Sequence, residues 1–188
     1  MKLVVIGGSA GALDAIHALL STIPAGLDAA FAIVVHISPS SESLLAPVIS
    51  SYTKMPVREA LDKMPLAPGS VVVGAPDYHM LIERDHTVAL SRDRAEHFSR
   101  PAIDPLFDSA AMAFHGDAIG VLLSGSNADG ASGLATLAKA GAKVCVQDPA
   151  NAISPEMPQA GIDACTPDFI ATPTALGRWI ATQLGGAR

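Results

Sequence analysis

Leu3-Val4-Val5-Ile6-Gly7-Gly8-Ser9-Ala10-Gly11-Ala12, near the start of the chain, decides the fold. Four apolar residues run straight into glycines and a serine. Leu13, Ile16, His17, Leu19 and Leu20 then trace a helical stripe. A short, unbroken apolar run suits a parallel strand covered on both faces, and the stripe suits the helix that crosses back over it. The pattern recurs along the chain. Ala32–His36, Val71–Val73, Ile119–Leu123 and Lys143–Val146 are further strand-like runs. Leu106, Phe107, Ala110, Ala111 and Phe114 form a second stripe, and Leu134, Leu137 and Ala138 a third, closed by Gly141. Alternating strand and helix predicts an α/β fold: a doubly wound, mostly parallel sheet with helices on both faces, Rossmann-like in its three layers. His79–Glu83 and Thr87–Ser91, around Arg84-Asp85-His86, read as a hairpin added antiparallel to that sheet. Residues 93–105 and 148–158 read as long loops, and 185–188 as a tail.

Composition narrows the function. The 188 residues are 49% hydrophobic and 16% charged, which suits one folded domain over residues 1–188 and excludes disorder. Twelve basic against eighteen acidic side chains leave a net charge of −6, against the basic footprint of a nucleic-acid binder. Mean hydropathy is +0.37, but runs such as Ala29–Val35 are far below the roughly 20 residues that span a bilayer. The expectation is a cytoplasmic protein with no direct membrane insertion. Cys145 and Cys165 are too few for a disulfide framework and read as small, partly buried hydrophobic side chains in a reducing compartment.

In open parallel sheets, chemistry gathers beyond the carboxyl ends of the strands. The turn Gly7–Gly11 there has three readings. As a dinucleotide fingerprint it fails twice: Ser9 stands where the middle glycine belongs, and the second strand ends in His36 rather than a carboxylate. As Gly-x-Ser-x-Gly it is a nucleophile elbow, with the Ala10 and Gly11 amides placed to hold an oxyanion. As a plain glycine turn, Ser9 only caps the helix. His36 closes the second run and could take the Ser9 proton; Asp129 follows the fourth run and could orient His36. The other five histidines, 17, 79, 86, 97 and 115, need no role on this reading.

These segments, in this order, resemble the catalytic domain of the bacterial chemotaxis protein-glutamate methylesterases, the CheB family. Val5-Ile6-Gly7-Gly8-Ser9-Ala10-Gly11 and Val34-Val35-His36-Ile37 carry the resemblance, with Ala75-Pro76-Asp77-Tyr78-His79-Met80. So do Arg100-Pro101-Ala102-Ile103-Asp104-Pro105-Leu106-Phe107, Leu123-Ser124-Gly125, Asp129-Gly130, Gly133-Leu134, Gln147-Asp148 and Met157-Pro158. The resemblance implies hydrolysis of glutamate methyl esters on cytoplasmic chemoreceptor helices, with glutamine deamidation in some members. It places Ser9 on the nucleophile, His36 on the base and Asp129 on the acid. It implies no cofactor and no metal. Members of the family commonly carry a receiver domain before the catalytic one; this sequence starts directly at the first catalytic strand, so the expectation is a free-standing catalytic domain, with a piece of a longer protein as the alternative. Departures cluster at the pocket. Ala10 replaces a threonine, Ser126 and Asn127 replace Met and Gly, and Glu156 precedes Met157 where glycine is usual. Ser126, Asn127 and Met157 are therefore expected to line a remodelled substrate pocket. The alternative is an interaction module of the same fold with weak or no catalysis.

Overall fold

The computed structural model describes residues 1–37 and 44–185. Seven strands form one sheet in which every neighbouring pair is parallel. They are β1 (Lys2–Gly8), β2 (Ala29–Val35), β3 (Val57–Glu59), β4 (Val71–Val73), β7 (Ala118–Leu122), β8 (Lys143–Gln147) and β9 (Phe169–Ala171). Their order is β3-β4-β2-β1-β7-β8-β9. The chain winds outward from β1 through β2, then returns to the other side of β1 as β7, so the winding reverses at β1. Strands β5 (His79–Ile82) and β6 (Val88–Ser91) make a separate two-stranded antiparallel sheet.

The helices are α1 (Ala12–Leu20), α2 (Leu45–Ser50), α3 (Ile103–Phe114), α4 (Ala131–Lys139), α5 (Glu156–Ala164) and α6 (Pro173–Gln183). Because β1, β2 and β7 are buried on both faces, each strand feeds two cores. One face carries α1, α2 and α6, with Ile6, Ile16, Leu19, Phe31, Ile33, Leu176 and Ile180 interleaved. The other carries α3, α4 and the hairpin, built on Val5, Ile103, Leu106, Phe107, Met80 and Leu134.

Four expectations change. The hairpin does not extend the main sheet. Met80, Ile82 and Val88 bury against the α3 face, and the Ile82 amide donates to the Ser109 hydroxyl of α3 at 3.0 Å. The α1 stripe is Ala12, Ala15, Ile16, Leu19 and Leu20; Leu13 and His17 sit about 100° off it and are exposed, His17 stacking on Tyr52 at 4.4 Å. Residues 103–105 belong to α3, and Met157 and Pro158 lie in α5 rather than in a loop. Strands β3 and β9 and helices α2, α5 and α6 carry little periodic signal and went unread. Cys145 is buried in β8, and burial pushes its thiol well above the ordinary value. Residues 186–188 of the expected tail lie outside the described residues. No described helix is long and apolar enough to cross a membrane.

Candidate active site

The register at the switch point brings three strand ends together. Gly8 stands opposite Val35 on β2, and Gly7 opposite Leu122 on β7. One step further the pairing continues through single bonds. The His36 amide donates to the Gly8 carbonyl at 3.2 Å, and the Ser9 amide donates to the Ser124 carbonyl at 2.8 Å. Ser9 is thus held between His36 and the loop after β7, about one strand spacing from each.

The turn after Ser9 is shaped for donors. Gly11 has φ +76 and caps α1; a side chain there would meet Ile153 Cβ at 2.6 Å and the Ser124 hydroxyl at 3.0 Å. The Ala12 amide donates to the Ser9 carbonyl. Among the described residues the Ala10 and Gly11 amides donate to no acceptor, and they sit at a helix N-terminus, where partial positive charge collects.

His36 and Asp129 meet. Nε2 of His36 lies 2.7 Å from Oδ2 of Asp129. The Asp129 carboxylate is fully buried, yet both oxygens are engaged: Oδ2 also accepts the Ile103 amide at 2.7 Å, and Oδ1 the Asp104 amide at 3.0 Å. Burial alone pushes this carboxyl upward. The His36 bond and the two amides outweigh burial and hold it below the ordinary carboxylate value. The amides belong to the first turn of α3, so Asp129 caps a helix it is not part of. Asp104, in that same turn, returns the favour. Its Oδ1 accepts the Gly133 amide of α4 at 2.7 Å, and α4 follows directly after Asp129.

Ser124 ties the loops together. It is fully buried; its hydroxyl donates to the Ala10 carbonyl at 2.7 Å and accepts the Ser154 amide at 2.9 Å, while its own amide donates to Oε1 of buried Gln147. The expected pocket residues divide. Ser126 is exposed on the acid-bearing loop. Asn127 is half-buried, and its Oδ1 accepts the Asp129 amide at 3.1 Å, an Asx turn that presents the acid. Met157 is fully buried beneath the loop, filling the space beside Gly125; it supports the site from below and does not face an open pocket. A depression of about 410 Å³, lined by Gly11, Asp14, Gln147, Asn151, Ile153 and Thr172 among others, adjoins the turn.

Two histidines set aside from the sequence have work near the site. Buried His79 accepts the Ala102 amide at Nδ1 (3.2 Å) and donates from Nε2 to the Arg94 carbonyl (3.1 Å), pinning residues 94–102 to the hairpin. His97 Nε2 lies 3.4 Å from Asp104 Oδ2. Behind them Asp77 pairs with Arg100 and Arg92, and the Arg100 bond above all holds the Asp77 carboxyl below its ordinary value. Ligand atoms of His97, Asp104 and Asp129 lie within 4.8 Å of one another. Their carboxylate oxygens already face amide or imidazole donors, which a cation would have to displace. Ser124, Gln147, Asp104 and His97 escaped the sequence reading as site residues. Asp104, Ser124 and Gln147 lie in segments that carry the resemblance, but no spacing rule links them to Ser9, His36 and Asp129.

Comparisons with known proteins converge on one family. A family model described as CheB methylesterase matches residues 4–180. A relative in Leptospira interrogans is 36% identical over 167 residues, which cover 89% of this chain and 86% of that one. Pseudomonas aeruginosa protein-glutamate methylesterase/protein-glutamine glutaminase 3 is 35% identical over 165 residues, 87% of this chain but 49% of its own length. The crystal structure of the Thermotoga maritima CheB methylesterase catalytic domain superposes with a TM-score of 0.92 at 25% identity, covering 97% of this chain and 98% of that one.

Proposed function

The chain belongs to the CheB methylesterase family, and from that premise we propose that Ser9, His36 and Asp129 are the triad of a serine hydrolase that removes methyl esters from glutamate side chains of chemoreceptor helices. The observation that carries this reading is the 2.7 Å bond between His36 and a fully buried Asp129, formed beside the strand end that bears Ser9. Nε2 of His36 is committed to Asp129, so Nδ1 is the nitrogen left to take the Ser9 proton. Ser9 Oγ attacks the ester carbonyl as His36 accepts that proton. The Ala10 and Gly11 amides hold the oxyanion. His36 then protonates methoxide, methanol leaves, and water releases glutamate from the acyl-enzyme. A glutamine amide in the same place would release ammonia by the same steps. Asp129, kept ionised by its donors, holds the His36 tautomer and stabilises the imidazolium.

The test is methanol release from methylated cytoplasmic receptor fragments. Ser9→Ala is expected to abolish it, and Asp129→Asn to lower kcat by about 10³–10⁴, the cost of a wrong tautomer. Full turnover by Ser9→Ala would overturn the reading. Folded wild type that binds receptor fragments without releasing methanol would identify an interaction module. Efficient turnover of p-nitrophenyl esters alone would identify a small-ester hydrolase.

A further inference from the structure

Two carboxylates, Asp104 and Asp129, are buried side by side at the meeting of the α3 and α4 N-termini. Each accepts amides at a helix N-terminus: Asp129 from Ile103 and Asp104 of α3, and Asp104 from Gly133 of α4. Each also faces an imidazole, His36 on the inner side and His97 on the outer. His97 is brought there by an unfavourable turn. His97 and Phe98 both have positive φ, 47 and 63, while Glu96 and Ser99 exchange two backbone bonds around them. Such a turn ordinarily takes Asn-Gly; bulky residues persist in it only where their surroundings over-determine the conformation. Here the turn sets the half-exposed His97 ring over Asp104.

We propose that Asp104 and His97 are positioning residues: a second carboxylate–imidazole pair, back to back with the first, that holds Asp129 in place and adds to the negative field at His36. The inference rests on the triad reading and goes beyond it. The groups facing Asp104 are Asp129 from the loop after β7, Asp108 from its own helix, His97 from the outer turn, and the uncharged Gly133 amide from α4. Among the described residues, the charged group paired with His36 is Asp129. Burial first, and then the Asp129 charge, push the Asp104 carboxyl above its ordinary value; the Gly133 amide and His97 oppose that rise. Ionisation of Asp104 therefore depends on His97, and the charge it carries stands beside the Asp129 carboxylate that His36 bonds.

The test is a titration of the Asp104 and Asp129 carboxyl carbons by NMR in the intact protein, alongside the pH profile of kcat/KM. Asp104→Asn keeps an acceptor for Gly133 and removes the charge. The Asp129 carboxyl is expected to titrate lower once that neighbouring charge is gone, and the acid limb of the kcat/KM profile to move to lower pH. An unmoved Asp129 midpoint in the folded variant overturns the proposal, whatever the effect on melting temperature. Should that variant fail to fold, wild type supplies the reading. Its Asp104 carboxyl is expected to titrate above the ordinary value, and His97→Gln to raise that midpoint further. A midpoint unchanged by His97→Gln overturns the proposal. Because the carboxyl titrations need no substrate, their failure is distinct from failure of the esterase reading, which Ser9→Ala decides.

Discussion

Ser124 does more for the site than its unremarkable place in the sequence suggests. Its hydroxyl and amide join the turn after β1, the loop after β7 and the loop before α5. Ser124→Ala leaves the Ser154 amide and the Ala10 carbonyl without that partner, in a site where water has little access. A loss of about 1–3 kcal/mol is expected in urea melts. Turnover is expected to fall as well, because the Ala10 carbonyl belongs to the turn that bears the amides proposed to hold the oxyanion. Normal kcat in a destabilised variant would separate the scaffold from the chemistry. At this scale the sequence was partly legible. Ser9, His36 and Asp129 stand out because each closes or soon follows a strand-like run. Ser124 does not, because its partners lie 114 and 30 residues away.

Among the elements, α1 and α6 show how closely the layers fit. Gly177 of α6 lies against the end of α1, where a Cβ would stand 2.2 Å from the Thr22 hydroxyl and 2.3 Å from the Leu19 carbonyl oxygen. Backbone cannot give way as a side chain can, so Gly177→Ala must push the helices apart. An overpacking cost of about 1–3 kcal/mol is expected, read as a lower urea midpoint with unchanged m-value. An unchanged midpoint would mean that α6 is free to shift. Helix α6 also shows where periodicity fails as a guide. Its buried set, Pro173, Leu176, Gly177, Ile180 and Ala181, includes a proline, a glycine and an alanine, so the stripe has little apolar contrast. The α3 stripe, with two phenylalanines and a leucine, was plain.

Across the whole molecule, the buried carboxylates make stability depend on pH in opposite senses. Asp129 is held below its ordinary value, so it stabilises the fold above about pH 4 and that contribution is lost as pH falls through its folded value. Asp104 is raised, so its ionisation costs stability as pH climbs from about 4 through its folded value. Relative to wild type, Asp129→Asn is expected to lose about 3 kcal/mol at pH 7, with the gap narrowing in acid. The deficit of Asp104→Asn is expected to be smaller at pH 7 than at pH 4. Urea melts at both pH values check the pair; parallel gaps would contradict the assignment of opposite shifts.

The layered α/β plan and the family are legible in the chain alone, and the strand ends mark where Ser9, His36 and Asp129 stand. Those properties rest on local composition: apolar runs long enough for a covered strand, stripes of helical period, and glycines where the chain must turn sharply. That the hairpin stands apart from the main sheet, that Met157 lies beneath the site, and that Asp104 and His97 adjoin Asp129 emerges from long-range packing. Each of those depends on which helix face or helix end a segment meets. That is settled by packing and by the need to satisfy buried amides, between residues far apart in the chain.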